Sequence, residues 1–427
     1  MEKDYVTRGL EDAMNVLGNT FTGKIFDRQM EALIEKYKRE MMQWFAKDTA
    51  DTENPMESVT QEHWYSLYLE KKRLEKHRCK MQYTLYKHVP YSAEDGLETN
   101  CTYRQDGKYM VCEASQMTDI EKQYIRDNAV VWKENQRRDI SYYILRSQNK
   151  NGMYICPHCG VEQSLDALLD GCDYCKNVFD ISAYEDKVVS VMRNRGRFDT
   201  REGNRAGMIG WIMLAAFGFI GIFHGIMMAL FTFGLSLLLA LAGGVACYFG
   251  ITRAMEANKG VEQNTVWKYK LQDNNPGFSE EEFIGSLDCK LKSIHYASNM
   301  KELEAFVKCD ISPYIKHYQS IVNCETAKIA YKNYTIKGDY QYLHIRRQIE
   351  VLQDKGTHLQ PGSGVVAMTL AKKRRYRLKN DISIYRCNDC GATISLVEGG
   401  KCAYCGHEID YGTYDWMIVD YKHINAL

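Results

Sequence analysis

Proline is scarce in this chain, at 6 of 427 residues, while tyrosine reaches 30. That balance argues against a mostly disordered polypeptide and favours ordered α and β structure. Net charge is missing as well, with 55 Lys plus Arg against 55 Asp plus Glu. A protein that works by gripping phosphate backbones carries a basic excess, so nucleic acid is disfavoured as the main partner. No Gly-rich phosphate loop, HExxH, G-x-S-x-G or paired-carboxylate signature occurs. There is thus no catalytic residue to name, and the expectation is a non-enzymatic protein. The opening residues, Met1-Glu2-Lys3-Asp4-Tyr5, lead into no apolar stretch, so a cleavable signal peptide is not expected.

The most informative absence is local. From Ala206 to Thr252 there is no Asp, Glu, Lys or Arg. One helix of that length would measure about 70 Å, against a hydrocarbon core about 30 Å thick. Two crossings in a tight hairpin fit better, with arms at 208–228 and 233–251. The turn is expected near Thr232-Phe233-Gly234, with His224-Gly225 as the alternative. Arg193, Arg195, Arg197, Arg201 and Arg205 precede the run; Arg253, Lys259, Lys268 and Lys270 follow it. Positive charge on both flanks of an even number of crossings predicts a multi-pass membrane protein with both termini cytoplasmic. Small residues recur at Gly221, Gly225 and Ala229, and at Ala242, Ala246 and Gly250, a spacing that lets helices approach closely. His224 has no ionisable neighbour in the run, so no transport pathway is expected.

Cysteine is plentiful, at 15 residues, and eight fall into four CxxC pairs. The first set is Cys156, Cys159, Cys172 and Cys175; the second is Cys387, Cys390, Cys402 and Cys405. Two residues between cysteines let a tight turn aim both sulfurs at one ion, and a second such turn completes a tetrahedron. Disulfides would not repeat this spacing, and a redox dithiol needs only one pair. The expectation is two structural Zn2+ ions, each closed to water by four thiolates and therefore not catalytic. His158 and His407 stand beside the ligands and read as solvent-facing. Cys79, Cys101, Cys112, Cys289, Cys309 and Cys324 lack ligand spacing and read as core or strand residues.

Similarity extends beyond the cysteines. Asp139-Ile140-Ser141-Tyr142-Tyr143 precedes the first ribbon and Asp381-Ile382-Ser383-Ile384-Tyr385 the second. Ile181-Ser182-Ala183-Tyr184 follows one and Tyr411-Gly412-Thr413-Tyr414 the other, which points to an internal repeat of a whole module. In the first half, Phe26–Ala46 and Gln61–Lys76 read as helices. Strand-like runs follow at Met81–Val89, Asn100–Arg104, Lys108–Glu113, Gln123–Lys133 and Ile140–Leu145. In the second half, Ser279 and Glu282 form a capping box, and Phe283, Leu287, Leu291 and Ile294 mark one helix face. A further helix is expected over 300–320, then strands at Ala327–Ile336, Gln341–Leu352, Gly364–Lys372 and Asn380–Tyr385. Helices followed by an antiparallel sheet make each half an α+β unit.

Phe278-Ser279-Glu280-Glu281-Glu282-Phe283, the helix-then-sheet order, the ribbon from Cys387-Asn388-Asp389-Cys390 to Cys402-Ala403-Tyr404-Cys405, and Tyr414-Asp415-Trp416 together carry a resemblance. Over 278–420 the chain resembles the Tim forty-four-like domain family, of the bacterial type with an appended zinc ribbon. The resemblance implies a cone of helices on a curved antiparallel sheet, membrane association, and binding of proteins or an apolar ligand. It supplies no catalytic motif. The chain departs from it in placing the hairpin between two modules, and Asp186-Lys187 stands where the second half has Trp416.

The resulting plan is an N-terminal arm (1–24), a first α+β module (25–150), a zinc ribbon (151–192), a basic linker (193–206), a transmembrane helical hairpin (207–252) and a linker (253–277). A second α+β module (278–385) and a second ribbon with its C-terminal strand (386–427) complete it. Lys372, Lys373, Arg374 and Arg375 form the one dense basic run. They read as a contact for an anionic surface or as the polar end of a strand. The expected role is a membrane-anchored adaptor that holds a protein partner at the cytoplasmic face. The alternatives are a cone-pocket sensor or enzyme for a small apolar ligand, and a zinc-ribbon nucleic-acid tether.

Overall fold

The computed structural model describes residues 27–50, 56–88, 99–106, 109–147, 153–155, 159, 161–164, 172–175, 186–193, 201–227, 237–275, 278–374, 401–402, 405–408 and 415–424. It divides into two compact units: Asn194–Tyr269 with Met1–Thr22, and Gly23–Arg193 with Lys270–Leu427. The larger unit is α+β, made of helices and two antiparallel sheets.

In the first half, α1 (Arg28–Ala46) starts where Asp27 accepts from the amides of Gln29 and Met30, covering donors that a helix start leaves unpaired. Its Met30, Ile34, Tyr37, Met41, Trp44 and Phe45 recur at helical spacing and are all buried, giving the apolar stripe that seats it on the sheet. Thr60 caps α2 (Gln61–Lys76) in the same manner. Five longer strands follow: β1 (Cys79–Lys87), β2 (Asn100–Asp106), β3 (Tyr109–Arg126), β4 (Ala129–Ser147) and, after the small hairpin β5 (Met153–Ile155) and β6 (Glu162–Ser164), β7 (Lys187–Arg193). The order is β1-β3-β4-β7, with β2 also on β3. β1 pairs with 118–126 and β2 with 109–115, so the two lie end to end along one long strand.

Lys108–Glu113 and Gln123–Lys133 are not separate strands: β3 is continuous, and the second run is split by a turn. Asp127 and Asn128 both take positive φ, 49° and 63°, the tight hairpin conformation that Asn and Asp tolerate.

The second half begins with α3 (Arg201–Met227) and α4 (Leu237–Asn274), then α5 (Glu280–Tyr296), the short α6 (Ser312–His317) and strands β8 (Ile321–Lys337), β9 (Tyr340–Asp354), β10 (Leu359–Lys373) and β11 (Met417–His423). Ser279 Oγ accepts from the Glu282 amide at 3.2 Å, as the capping box requires. Phe283, Leu287, Leu291 and Ile294 are buried. The single helix expected over 300–320 is instead a 3-10 turn (Met300–Leu303), α6 and a second 3-10 turn. Pro313 lies in the first turn of α6, where its missing N–H is harmless and from which it cannot extend a preceding helix. The strand expected at Asn380–Tyr385 lies outside the described residues.

The second sheet runs β11-β10-β9-β8. In each half the last strand returns after the ribbon to pair with the strand before it, β7 on β4 and β11 on β10. Each last strand also takes one parallel bridge from the loop before or between the helices, Val59 to Val188 and Val307 to Ile418.

The two halves meet along α2, α5 and β7. A Cβ at Gly285 would stand 2.6 Å from the Val189 carbonyl oxygen, so only glycine lets α5 sit this close to β7. Arg73 of α2 is 1% exposed. Its Nη1 donates to the Tyr318 carbonyl at 2.6 Å, and its Nη2 to those of Tyr296 and Ala297 at 2.9 and 2.8 Å. Two of these acceptors end α5, where helical carbonyls lack intrahelical partners and the helix dipole favours a cation. Around this point Lys72 pairs with Glu302 at 2.6 Å and Lys122 with Glu325 at 2.9 Å. Asn323 donates to Glu70 at 2.9 Å, and His77 lies 2.7 Å from both the Asp354 carboxylate and the Gln319 carbonyl.

The smaller unit contains α3 and most of α4. A Cβ at Gly218 would lie 2.6 Å from the Cys247 nitrogen and the Gly243 oxygen; one at Gly250 would lie 2.7 Å from the Ala215 nitrogen. The helices therefore touch backbone to backbone through Gly218, Gly243 and Gly250. Of the two small-residue stripes, Gly221 and Gly250 lie in this seam, whereas Ala242 is exposed. The opposite faces carry Phe217, Phe219, Ile220, Phe223, Leu241 and Tyr248, each more than half exposed. Helix α3 runs through His224 and Gly225 without a break, so no turn occurs there. Among the described residues, no helix is long and apolar enough to cross a membrane.

Candidate metal centres

In the first ribbon, β5 and β6 pair from Met153–Ser164 to Ile155–Glu162. Gln163, nearly buried, donates to Asp173 at 3.5 Å, tying this hairpin to the turn that holds Cys172 and Cys175. The sulfurs of Cys159, Cys172 and Cys175 all lie within 4.8 Å of one another, with Cys159 and Cys172 3.6 Å apart. Thiolates at about 2.3 Å around a tetrahedral zinc stand about 3.8 Å from each other, whereas a disulfide closes to about 2.05 Å. The spacing fits a shared metal ion and no disulfide. Cys172 is completely buried and Cys159 exposed. Cys156, the fourth expected ligand, lies outside the described residues.

The second ribbon is described through its later knuckle. Lys401 and Glu408 form an antiparallel bridge, the Cys402 amide donates to the His407 carbonyl at 2.9 Å, and the Gly406 amide donates to the Cys402 carbonyl at 2.8 Å. Gly406 takes φ of 71°, which glycine reaches without strain. This tight loop places Cys402, buried, and Cys405, exposed, on one turn, where both can face a metal. His407 is exposed. Cys387 and Cys390 lie outside the described residues.

Of the remaining cysteines, Cys79, Cys101, Cys112, Cys289 and Cys324 are buried as core and strand residues, whereas Cys309 is half-buried in the loop before α6. Lys372 and Lys373 are the last residues of β10, and the Arg374 amide donates to the Asp339 carbonyl at 2.7 Å. Arg375 lies outside the described residues.

Residue spacing carries no sign of the contacts that set each final strand beside the helices. Asp415, two residues before β11, binds Lys290 of α5, whose Nζ also donates to the Trp416 carbonyl at 3.0 Å. Burial pushes the Asp415 carboxyl up, but Lys290 and Lys372 outweigh it and hold it below the usual range. Trp416 then packs edge-on against Phe283, ring centres 5.8 Å apart. Its first-half counterpart uses other chemistry: Asp186 pairs with Arg146 at 3.2 Å, and Lys187 donates to the Glu57 carbonyl.

One groove of about 400 Å³ opens on the first module. Met42 and Ala46 of α1 form one wall, and Tyr83, Tyr86, Glu121 and Gln123 of β1 and β3 line the rest. Compared with known families, curated proteins and solved structures, the chain matches none.

Proposed function

We propose that the protein is a non-enzymatic, membrane-anchored adaptor whose two zinc ribbons hold their surfaces in shape for a protein partner. The observation that carries the anchor is the outward face of the α3–α4 hairpin, where large apolar side chains stand exposed on both helices. Patches of that extent on a water-facing surface mark a site covered by lipid or protein. The uncharged sequence from Ala206 to Thr252 continues past the described side chains at both ends of this face, which supports two crossings with both termini on the cytoplasmic side.

Zinc is the metal that best suits the ribbons, since four thiolates at knuckle spacing select a tetrahedral borderline-soft ion. In the first ribbon Cys156, Cys159, Cys172 and Cys175 would hold it; in the second, Cys387, Cys390, Cys402 and Cys405. The ion would supply folding free energy that so small a loop cannot find in a core. The shared order of helices, sheet, ribbon and returning strand favours duplication of one module. A Tim forty-four-like ancestry for that module rests on the sequence resemblance over 278–420.

The second reading, a small apolar ligand, is favoured by the groove beside Met42, Tyr83 and Tyr86, whose volume falls in the range of ligand pockets. Cross-linking in intact membranes, followed by mild-detergent purification and mass spectrometry, separates the two. A stoichiometric protein linked to either module supports the adaptor; retention of only a small molecule moves the function to the groove. Metal analysis of the same sample is expected to find two zinc ions per chain, and iron or no metal under reducing conditions refutes the ribbon chemistry. Loss of the protein from membranes at alkaline pH refutes the anchor.

A further inference from the structure

We propose that the first ribbon is an oxidation site: hydrogen peroxide enters at Cys159, Cys172 resolves the product into a Cys159–Cys172 disulfide, and the metal is released. The inference rests on the zinc reading above. Its geometry is the unequal exposure of two neighbouring sulfurs. Cys159 is exposed to solvent, while Cys172 is 0% exposed, yet the two are 3.6 Å apart. Of these two sulfurs an oxidant reaches Cys159 directly, and Cys159 is also the most exposed of the three clustered cysteines, Cys175 being half-buried. A thiolate that is both accessible and close to a second thiol is the arrangement in which oxidation proceeds reversibly to a disulfide.

The step balances without any group beyond the peroxide. Cys159 sulfur attacks one peroxide oxygen; an S–O bond forms, the O–O bond breaks, and the departing hydroxide takes a proton to become water. Cys172 sulfur then attacks Cys159 sulfur, the S–S bond forms, the S–O bond breaks, and a second hydroxide leaves as water. Two thiolates have lost two electrons, peroxide has gained them, and two of the ion's ligands have been withdrawn. The sulfurs need to approach by about 1.5 Å to reach disulfide length, and the bond joins the two knuckles rather than closing within one CxxC. A dithiol reductant with added zinc reverses the sequence.

Zinc-loaded full-length protein in mild detergent, treated with a few equivalents of hydrogen peroxide, provides the test. A chromogenic chelator follows metal release, and peptide mapping without reduction identifies the first disulfide. The expected result is Cys159 linked to Cys172 in step with release of zinc, with recovery after dithiothreitol and zinc. Cys159→His retains a nitrogen ligand and removes the reactive sulfur, so release from this ribbon is expected to slow at least tenfold; Cys175→His is expected to keep the Cys159–Cys172 bond. A first disulfide within either CxxC pair, or zinc retained with the thiols intact, overturns the proposal while leaving the zinc reading standing. If Cys159→His fails to bind metal, the order of disulfides in the unaltered protein decides alone. Protein that carries no zinc before peroxide is added overturns both.

Discussion

Arg73 is the residue through which the first module completes the second, and replacing it tests whether the two halves fold as one. Arg73→Met keeps most of the aliphatic length and removes the guanidinium. Three carbonyls, at Tyr296, Ala297 and Tyr318, then lose the guanidinium. Ala297 keeps the Gln319 side-chain amide at 3.3 Å and Tyr318 keeps the Ile321 N–H, so the loss falls chiefly on Tyr296. Each buried acceptor left unpaired costs about 1–3 kcal/mol. Against this stands relief of the burial of a charge, which already pulls the Arg73 guanidinium down to about 10 and which is recovered when an apolar side chain takes its place. With chiefly one acceptor unpaired, the net expectation is a loss of about 2 kcal/mol, still a sizeable part of the stability of an ordinary domain.

The loss also has a location. Trp44 and Trp64 are buried in the first module and Trp416 in the second, so urea unfolding of the purified chain can be followed from either side. The unaltered protein is expected to unfold the two modules together. In Arg73→Met the transitions should separate, and amides around Tyr296–Ser298 should exchange hydrogen faster. Arg73→Lys should recover little, because a single ammonium cannot span three carbonyls as a planar fork does. Stability within about 0.5 kcal/mol of the parent, with one shared transition, would refute the argument, since ordinary surface substitutions fall in that range.

Three further outcomes follow from the geometry. Gly285→Ala should destabilise by more than about 1 kcal/mol, because its Cβ meets backbone that cannot swing away; thermal unfolding that leaves Tm unchanged would contradict the close approach of α5 to β7. Gly243→Leu should splay the hairpin, read as lost cross-linking between cysteines placed on α3 and α4, whereas Gly244→Leu should not, since its Cβ position meets nothing within 4 Å. Burial first, and nearby Lys292 second, hold His63 down to about 3, while burial holds His295 down to about 4. The unfolded imidazoles titrate near 6.5, so the unfolded chain binds more protons below that pH. Their contribution is therefore fully present above about pH 6.5 and is lost progressively toward pH 4, at about 1.4 kcal/mol for each pH unit and residue. His295→Gln should flatten the pH dependence of urea midpoints between 6.5 and 4, and an unchanged slope would show that this residue does not set it.

What could be read from the sequence follows from how local each signal is. The capping box at Ser279, the stripe of α1 and the knuckle turn at Cys402–Gly406 depend on residues a few positions apart, and each stands where spacing places it. The β3–β4 turn was hidden because Asp127-Asn128 sits inside an apolar run that reads equally well as continuous strand, Tyr124-Ile125 before it and Val130-Val131-Trp132 after.

The seam between the modules was harder still, because its contacts join residues more than two hundred positions apart. One signal was present. On α2, His63, Glu70 and Arg73 fall among Leu67 and Leu74, so ionisable groups interrupt what would otherwise be the buried stripe of an amphipathic helix. A helix covering its own sheet would place such residues outward; here all three are buried, Glu70 and Arg73 against polar groups of the second half and His63 against Tyr37 of its own. The carboxyl of Glu70, pushed up by burial, meets the Asn323 amide, and Arg73 meets the carbonyls of α5. Charges that would each be costly alone are matched in part by the other half of the chain, Arg73 by three of its carbonyls and Glu70 by Asn323 together with Lys122 of its own half. Matched charges of this kind fix register more than they add stability. For two modules of similar topology with a hairpin inserted between them, register is what must be specified: their apolar faces alone would tolerate several arrangements, while a guanidinium that needs three particular carbonyls accepts only one.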